Sequence, residues 1–480
     1  MTQNSQDLTM AIPADFQRVF ELQRAAHQRQ MNPDYAQRKA DVLGLHRMIA
    51  ENGDELEAAI NDDYGCRSAF ETRFAEIYLA REAALDTARQ LKKWLKPQRR
   101  HLNFMQYPFA RAWTFPQPVG VVGIIAPWNF PLTTSIQPLI AAFAAGNRAM
   151  VKMSENSNHL AALLARISGK YFPQDKLAFF ADGDGRGPAF TRLPFDHIFF
   201  TGSAQTGKAV MANAAKNLTP VTLELGGKSP CIVAADYPMQ EAARRIMWAK
   251  MLNAGQICIN VDYLLLPEGG VDEFIGHAQA IANSRYPDIS NGDYTAIIDQ
   301  RSYDRIQQTL ADAVARGARV VNLCPGQNGD PARRLMPPHA VINVSDDMLI
   351  MQREIFGPLL PIRCWRQREE VVRYINERPR PLALYIFSND AATQQYFINN
   401  TISGGVGINE AVIHAGLHDL PFGGVGASGM GHYHGREGFL TLSKLRPVFR
   451  QGPWRTLDLF LPPYKGRAQR LLDLMIRLKG

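Results

Sequence analysis

The sequence predicts an α/β protein, with two doubly wound parallel-sheet domains plus a small β element, on three observations. Short apolar segments recur from Val119 onward, helical stretches separate them, and a second series of the same texture begins after Cys258. In the first series VGVVGIIA (119–126), AMVKM (149–153), LAFFAD (177–182), HIFFTG (197–202) and CIVAAD (231–236) read as strands. Helices over 160–171 and 209–217 lie between them. Unbroken apolar runs are what strands covered on both faces require, and alternation with helices makes them parallel. The second series holds the strand YLLLP (263–267), helices near 271–283 and 301–316, and strands near 341–344 and 382–387.

Before the first sheet, 35–60 and 71–96 read as long amphipathic helices. In the latter, Phe74, Ile77, Leu85, Ala88, Leu91 and Leu95 recur at helical spacing, and Pro97 marks the end. Residues 99–117 are rich in aromatics and proline and read as an excursion, a hairpin leaving the domain. The glycine-rich stretch 404–438 is irregular, and long irregular passages in compact domains are usually functional.

The chain has 480 residues, 46% of them hydrophobic, enough for two or three domains. No apolar run approaches the roughly 20 residues that span a bilayer. The start MTQNSQDLTMAIPADF lacks the basic and apolar regions of a secretory signal, so a cytoplasmic protein is expected. A net charge of +8 raises the question of nucleic acid, but the bases are spread along the chain without a finger, RNP or basic–aromatic block. No nucleic-acid partner is expected. One local concentration is the tail 465–480, where Leu471, Leu472, Met475 and Leu478 share a helical face ringed by Arg467, Arg470, Arg477 and Lys479. Docking on the chain's own subunit or a partner is favoured there over contact with an anionic membrane. The five cysteines (66, 231, 258, 324, 364) have no CxxC spacing, which argues against disulfides and against a metal site. Each by itself is a small buried hydrophobe.

Gly202-Ser203-Ala204-Gln205-Thr206-Gly207-Lys208 follows the strand HIFFT and opens a helix, the setting a phosphate cradle needs. The spacing nearly matches a Walker A loop, but Ala209 replaces the hydroxyl that would bind magnesium, which disfavours an NTPase. Gly183-Asp184-Gly185-Arg186-Gly187 fails as a dinucleotide fingerprint because Pro188 takes the third glycine's place, so it reads as a turn. Lys152-Met153-Ser154-Glu155 ends a strand, where ligands of doubly wound sheets bind. An acid there can accept ribose hydroxyls.

Three segments carry chemistry. Val221-Thr222-Leu223-Glu224 places a carboxylate in an apolar strand before two glycines, a desolvated setting that makes it a base near neutrality. Asn253-Ala254-Gly255-Gln256-Ile257-Cys258 puts a thiol after a small, flexible run whose N–H groups are expected to lower its pKa and receive an oxyanion. Pro127-Trp128-Asn129-Phe130-Pro131 fixes an amide donor between prolines. A cofactor-free thiol hydrolase would need a histidine beside the cysteine, and no motif supplies one.

Together PWNFP, KMSE, FTGS, ELGGKSP, NAGQIC, EIFGP and PFGGVGASGMG, in this order, resemble the aldehyde dehydrogenase superfamily from about Phe104 to Leu440. EIFGPLLPI and the run into HYHG are similar to its class 3 branch. GQICINVDYLLLP and DDYGCRSAFET are similar to bacterial coniferyl-aldehyde dehydrogenases. The resemblance implies oxidation of an aldehyde, aromatic or medium-chain aliphatic, to its acid through a thiohemiacetal and a thioester. Cys258 would be the nucleophile, Glu224 the base that activates water, and Asn129 the oxyanion donor. CoA-acylating relatives lack a glutamate at that position, so Glu224 favours hydrolysis. Lys152 and Glu155 would hold the adenosine ribose, with Ser154 between them also at the cofactor. Gly202, Ser203 and Gly207 would lie by the pyrophosphate, Glu354 would hold the nicotinamide ribose and Phe356 would pack by the nicotinamide. Trp128 would stand between cofactor and nucleophile. Glu155 points to NAD, since a 2′-phosphate would meet a carboxylate, while the class 3 branch also accepts NADP. The resemblance divides the chain into an NAD-binding domain (1–98 and 118–224), a catalytic domain (225–408), and a bridging segment and tail (99–117 and 409–480) through which a homodimer forms. Ile257 and Met153 depart from the family's commoner Thr and Pro beside key residues. Glu410, with His414 and Phe422, lies by the expected substrate mouth, and His414 is given a structural role.

Overall fold

The computed structural model describes residues 11–479. Residues 1–10, most of the stretch read for a secretory signal, and Gly480 lie outside the described residues. A six-stranded sheet runs in the order Gly429–Met430, Val221–Glu224, His197–Thr201, Val121–Ile125, Arg148–Lys152, Leu177–Phe180. All pairs are parallel except the first, which is antiparallel. Val121–Ile125 is buried at every position, as its unbroken apolar run requires. From that strand the chain winds outward through Arg148–Lys152 and Leu177–Phe180, then returns to the other side with His197–Thr201. The reversal leaves a crevice at the carboxyl ends of the two central strands, the place where such sheets bind ligands.

A second sheet of seven strands has the order Arg319–Asn322, His339–Ile342, Leu359–Trp365, Tyr263–Pro267, Pro230–Val233, Ala383–Phe387, Gly405–Ile408. It is parallel apart from the first pair. A third, antiparallel sheet joins Gln98–Arg100, Arg111–Pro118 and Ser443–Arg450, the last two paired over eight residues. The excursion expected at 99–117 is therefore a strand pair closed by a strand from far along the chain. Two parallel-sheet units and a small β element are present as predicted.

The helical start differs in detail. The stretch 35–60 is two helices, Tyr35–Glu51 and Gly53–Tyr64, because Asn52 leaves the helical region at φ −124 and turns its side-chain amide onto the Met48 carbonyl. The stretch 71–96 is Ala69–Thr72 and Leu79–Trp94 joined through a π turn, Arg73–Tyr78. Such π turns gather at functional sites. An unforeseen helix, Ala14–Arg29, packs Phe16, Val19 and Phe20 under the first sheet against Met150, Phe190 and Phe195.

Candidate active site

The crevice of the first sheet opens into a groove of about 570 Å³. Its walls include Ile125, Pro127, Trp128, Lys152, Ser154, Glu155, Gly202 and Ser203. Ser203 caps the helix Ala204–Ala215, its hydroxyl accepting from the Thr206 N–H, and the helix N-terminus faces the groove. Lys152 is buried and paired with Asp182 at 2.5 Å. Glu155 is exposed and accepts from the Ser154 hydroxyl at 3.2 Å. Among the lining residues, Asp182 Oδ1 and Thr201 Oγ1 lack hydrogen-bond partners. A cation, a carboxylate for ribose hydroxyls and a helix start for phosphates, set along an apolar floor, fit a dinucleotide.

Gly207 does not line the groove. It is buried, and a Cβ there would lie 2.8 Å from Leu225 Cδ2, so it lets the helix close on the strand end. Glu354 and Phe356 also lie off the groove proper. Phe356 meets Trp128 edge to face, and Glu354 sits against the Gly226-Gly227 turn, where a Cβ on Gly226 would fall 2.1 Å from its Oε2. Burial, with Asp262 beside it, pushes the Glu354 carboxyl up to about 8.

Glu224 ends its strand fully enclosed, paired across to Gly429, its carbonyl accepting from the Gly202 N–H at 3.0 Å. Neither carboxyl oxygen has a hydrogen-bond partner. Burial therefore raises its pKa well above the ordinary carboxylate range.

Cys258 follows a turn in which Asn253, Ala254 and Gly255 all have positive φ (50, 49 and 77). Left-handed non-glycine residues cost about 1 kcal/mol or more each, so the turn must be held from outside. Gln256 does part of this, donating to the carbonyls of Asn253 and Ala296 and accepting from the Ile298 N–H. Asn260 donates to the Gly255 carbonyl at 2.6 Å. The expected acidic thiol is not found. Burial first, then the charges of Glu354 and Glu224, push Cys258 up to about 12, and the N–H groups of Cys258 and Ile259 lower it only in part. The resting thiol is neutral, with two carboxyls near it.

Asn129 is buried, its side-chain amide donating to the Gln256 carbonyl at 3.2 Å, which brings the PWNFP arm onto the cysteine turn. The structure thus brings Glu224 and Glu354 near Cys258 and the Asn129 amide onto the turn that precedes it, while Trp128, which lines the groove, meets Phe356. His414 is a half-buried neutral ring, its pKa lowered to about 4 by desolvation, packed on Tyr385 and Phe422.

Sequence reasoning missed Asp182, although LAFFAD was read as a strand and its end lies in the same layer as Lys152. It also gave no role to Tyr433, whose buried hydroxyl feels the charges of Glu224 and Cys258. Gly185, Gly187 and Pro188 line the groove although their segment is only a 3-10 turn, Gly183–Gly185, leading into a short helix. Among the described residues no group of three or more metal-ligating side chains is assembled, and no helix is long and apolar enough to cross a membrane.

A profile of the aldehyde dehydrogenase family matches residues 3–448. The chain is 46% identical to a probable coniferyl aldehyde dehydrogenase of Pseudomonas aeruginosa, over 95% of this chain and 94% of that protein. It is 37% identical to the dimeric NADP-preferring aldehyde dehydrogenase of Canis lupus familiaris, covering 84% and 87% of the two chains. The fold superposes on the substrate-bound state of Staphylococcus aureus AldH with a TM-score of 0.90 at 33% identity, covering 96% of this chain and 99% of that one.

Proposed function

Because this chain belongs to the aldehyde dehydrogenase family, we propose that it works on aromatic aldehydes of the coniferyl type, with Cys258 as nucleophile, Glu224 as base and Asn129 as oxyanion donor. The overall reaction is NAD(P)-dependent oxidation of an aldehyde to the carboxylic acid. NAD is the cofactor, with NADP as a second acceptor.

One observation supports the assigned roles above all. Glu224 carries a buried carboxyl with no hydrogen-bond partner, close enough for its charge to act on the Cys258 thiol. A group so costly to bury is kept where a proton has to be taken up. Ionised Glu224 is the acceptor we assign for the thiol proton. Cys258 Sγ then bonds to the carbonyl carbon, and the oxyanion is held by the Asn129 amide and the Cys258 N–H. A dinucleotide held in the groove would supply the hydride acceptor for oxidation at the carbon bonded to Cys258, which leaves a thioester there. After releasing the thiol proton to solvent, Glu224 takes a proton from water as the water attacks the thioester carbon and Cys258 Sγ departs. The acid leaves and Cys258 is restored. Lys152, Ser154 and Glu155 would hold the adenosine end of the dinucleotide, Gly202 and Ser203 the pyrophosphate, and Glu354 and Phe356 the nicotinamide side, with Gly207 letting the helix close behind it.

The coniferyl-type substrate rests on the Pseudomonas relative and on the aromatic surface near the π turn. Phe70 and Phe74 stack there at 6.3 Å, Phe74 and Tyr78 at 6.4 Å. A homodimer is part of the reading. The dog relative is named dimeric, and the strand Ser443–Arg450 leaves Leu445 and Phe449 exposed while the tail helix Arg467–Lys479 exposes Leu472, Leu474 and Ile476. That apolar tail is assigned to a partner subunit rather than to a membrane. Five free cysteines agree with a reducing, cytoplasmic setting.

The test is a panel of coniferyl aldehyde, benzaldehyde and straight-chain aldehydes, each with NAD and NADP, read as absorbance gain at 340 nm. The reading expects the highest kcat/KM with coniferyl aldehyde and a loss of at least about 10³-fold in Cys258→Ala. Full activity in that variant overturns the mechanism, and preference for straight-chain aldehydes overturns the substrate.

A further inference from the structure

The segment DDYGCRSAFET (62–72) plays no part in the reaction as described, yet it contributes Arg67 and Glu71 to a buried polar cluster against the cysteine turn and the Asn129 arm. Arg67, Glu71, Glu76, Asn253 and Thr295 are all nine-tenths or more enclosed. We propose that Arg67 and Glu71 are positioning residues that set the Cys258 turn and the Asn129 arm in register with each other. The inference rests on the assignment of Cys258 and Asn129 above.

Two clamps meet at the site. In the first, Arg67 Nη1 donates to the Asn129 carbonyl at 2.9 Å, while its guanidinium pairs with Glu76 at 3.2 Å and lies over the rings of Tyr64 and Phe130. Glu76 in turn accepts from the N–H groups of Leu132 and Thr133, the open start of the helix Pro131–Ala145 that follows Asn129. Arg67 and Glu76 thus hold the arm from its carbonyl side and from the helix behind it. In the second clamp, Glu71 Oε2 accepts from the Asn253 N–H at 3.0 Å and from the Thr295 hydroxyl at 2.8 Å. Asn253 opens the left-handed run, so this acceptor sits where the turn's strain begins. The clamps are cross-linked. The Tyr64 hydroxyl donates to the Asn129 carbonyl at 3.0 Å, and the Asn253 side-chain amide donates to Tyr64, Asn129 and Gln256 oxygens at 3.1 to 3.2 Å.

None of these groups touches the reacting atoms. What they fix is the relative place of an amide donor and a thiol carried by different sheets. A shift of about 1 Å in such a pair can cost on the order of 100-fold in rate without weakening ligand binding. Glu71 has to be an acceptor for two donors. A glutamine keeps that capacity through its carbonyl oxygen, and an alanine does not.

The test compares Glu71→Ala, Glu71→Gln, Arg67→Lys and the milder Thr295→Val with wild type and Cys258→Ala, measuring kcat, aldehyde KM, NAD affinity by fluorescence and the rate of Cys258 alkylation by iodoacetamide. Glu71→Ala is expected to lower kcat by roughly 10- to 100-fold, with aldehyde KM and NAD affinity within about threefold and an altered alkylation rate. Glu71→Gln is expected to restore most of kcat. Thr295→Val, which removes one donor from Glu71, is expected to give a smaller loss of the same kind and carries the test if the alanine variant does not fold. Wild-type kcat in Glu71→Ala, or in Thr295→Val when the alanine does not fold, overturns the proposal. So does a parallel fall of kcat and NAD affinity, or a glutamine as impaired as the alanine. An active Cys258→Ala instead overturns the nucleophile assignment, so the two failures are separable.

Discussion

Trp128 meets Phe356 edge to face with ring centroids 5.3 Å apart, and this contact joins the groove of the first sheet to the glutamate loop of the second. Phe356 holds a left-handed φ of 49, a conformation a bulky residue adopts only when its surroundings impose it. Phe356→Ala is expected to raise the KM for NAD by roughly 3- to 10-fold, in line with about 0.5–1.5 kcal/mol for an aromatic pair. Aldehyde KM should move less than about twofold by the same reasoning. Steady-state kinetics with each substrate varied in turn checks this.

Gly429 faces Glu224 across the edge of the first sheet at a φ of 146, and a Cβ there would stand 2.2 Å from the Leu223 carbonyl. Gly429→Ala must therefore push the strand pair apart beside the Glu224 carboxyl. The expected result is destabilisation of about 1–3 kcal/mol, measured by urea unfolding, together with a fall in kcat.

Glu155 lines the groove, exposed and hydrogen-bonded to Ser154, where its charge would oppose a 2′-phosphate. Glu155→Gln should shift the ratio of kcat/KM for NADP over NAD upward by about tenfold, roughly the 1.4 kcal/mol of one like-charge contact removed. Measured ratios within twofold of wild type would place cofactor choice elsewhere.

Stability should depend on pH with a definite sign. Glu71 and Glu354 have folded pKa values raised to about 7 and about 8. Each contributes stability that is full below the unfolded value of about 4.3 and is lost as pH rises through the folded value. His197, His414 and His434 are lowered by burial to about 4, about 4 and about 3, so their share is present above about 6.5 and lost as pH falls. Thermal unfolding is expected to give a plateau between about pH 4.3 and 6.5 that falls on both sides. Glu71→Gln removes one raised carboxyl, so its Tm relative to wild type should be more favourable at pH 8 than at pH 5. An equal offset at both pH values would contradict the assignment.

Much of this was readable from residue order because the fold repeats a simple rule. A strand buried on both faces has to be apolar throughout, and its carboxyl end is where Lys152, Ser154 and Gly202 were sought and where the groove lies. Asp182 escaped because a lone acid after a strand carries no pattern of its own, only its place in the sheet. The strand Gly405–Ile408 read as irregular because two of its four residues are glycines, held there by pairing to Ala383–Phe387. The break at Asn52 and the π turn Arg73–Tyr78 leave the apolar spacing almost unchanged, so periodicity passes over both. The thiol was misjudged for a different reason. Local N–H groups can be inferred from a turn, whereas the burial that outweighs them at Cys258 comes from elements distant in the chain. The same holds for Arg67 and Glu71, whose partners Asn129, Asn253 and Thr295 come from three separate segments.

The central claim is that Cys258 carries a thioester which Glu224 opens with water. It is tested most directly by rapid mixing of Glu224→Gln with an aromatic aldehyde and NAD, following NADH formation and the intact mass of the protein. The account predicts a burst of about one NADH per active site, a protein heavier by the acyl group, and steady turnover slower than wild type by roughly 10²- to 10⁴-fold. Wild-type turnover in Glu224→Gln, or a burst that leaves no acyl group on Cys258, would contradict it.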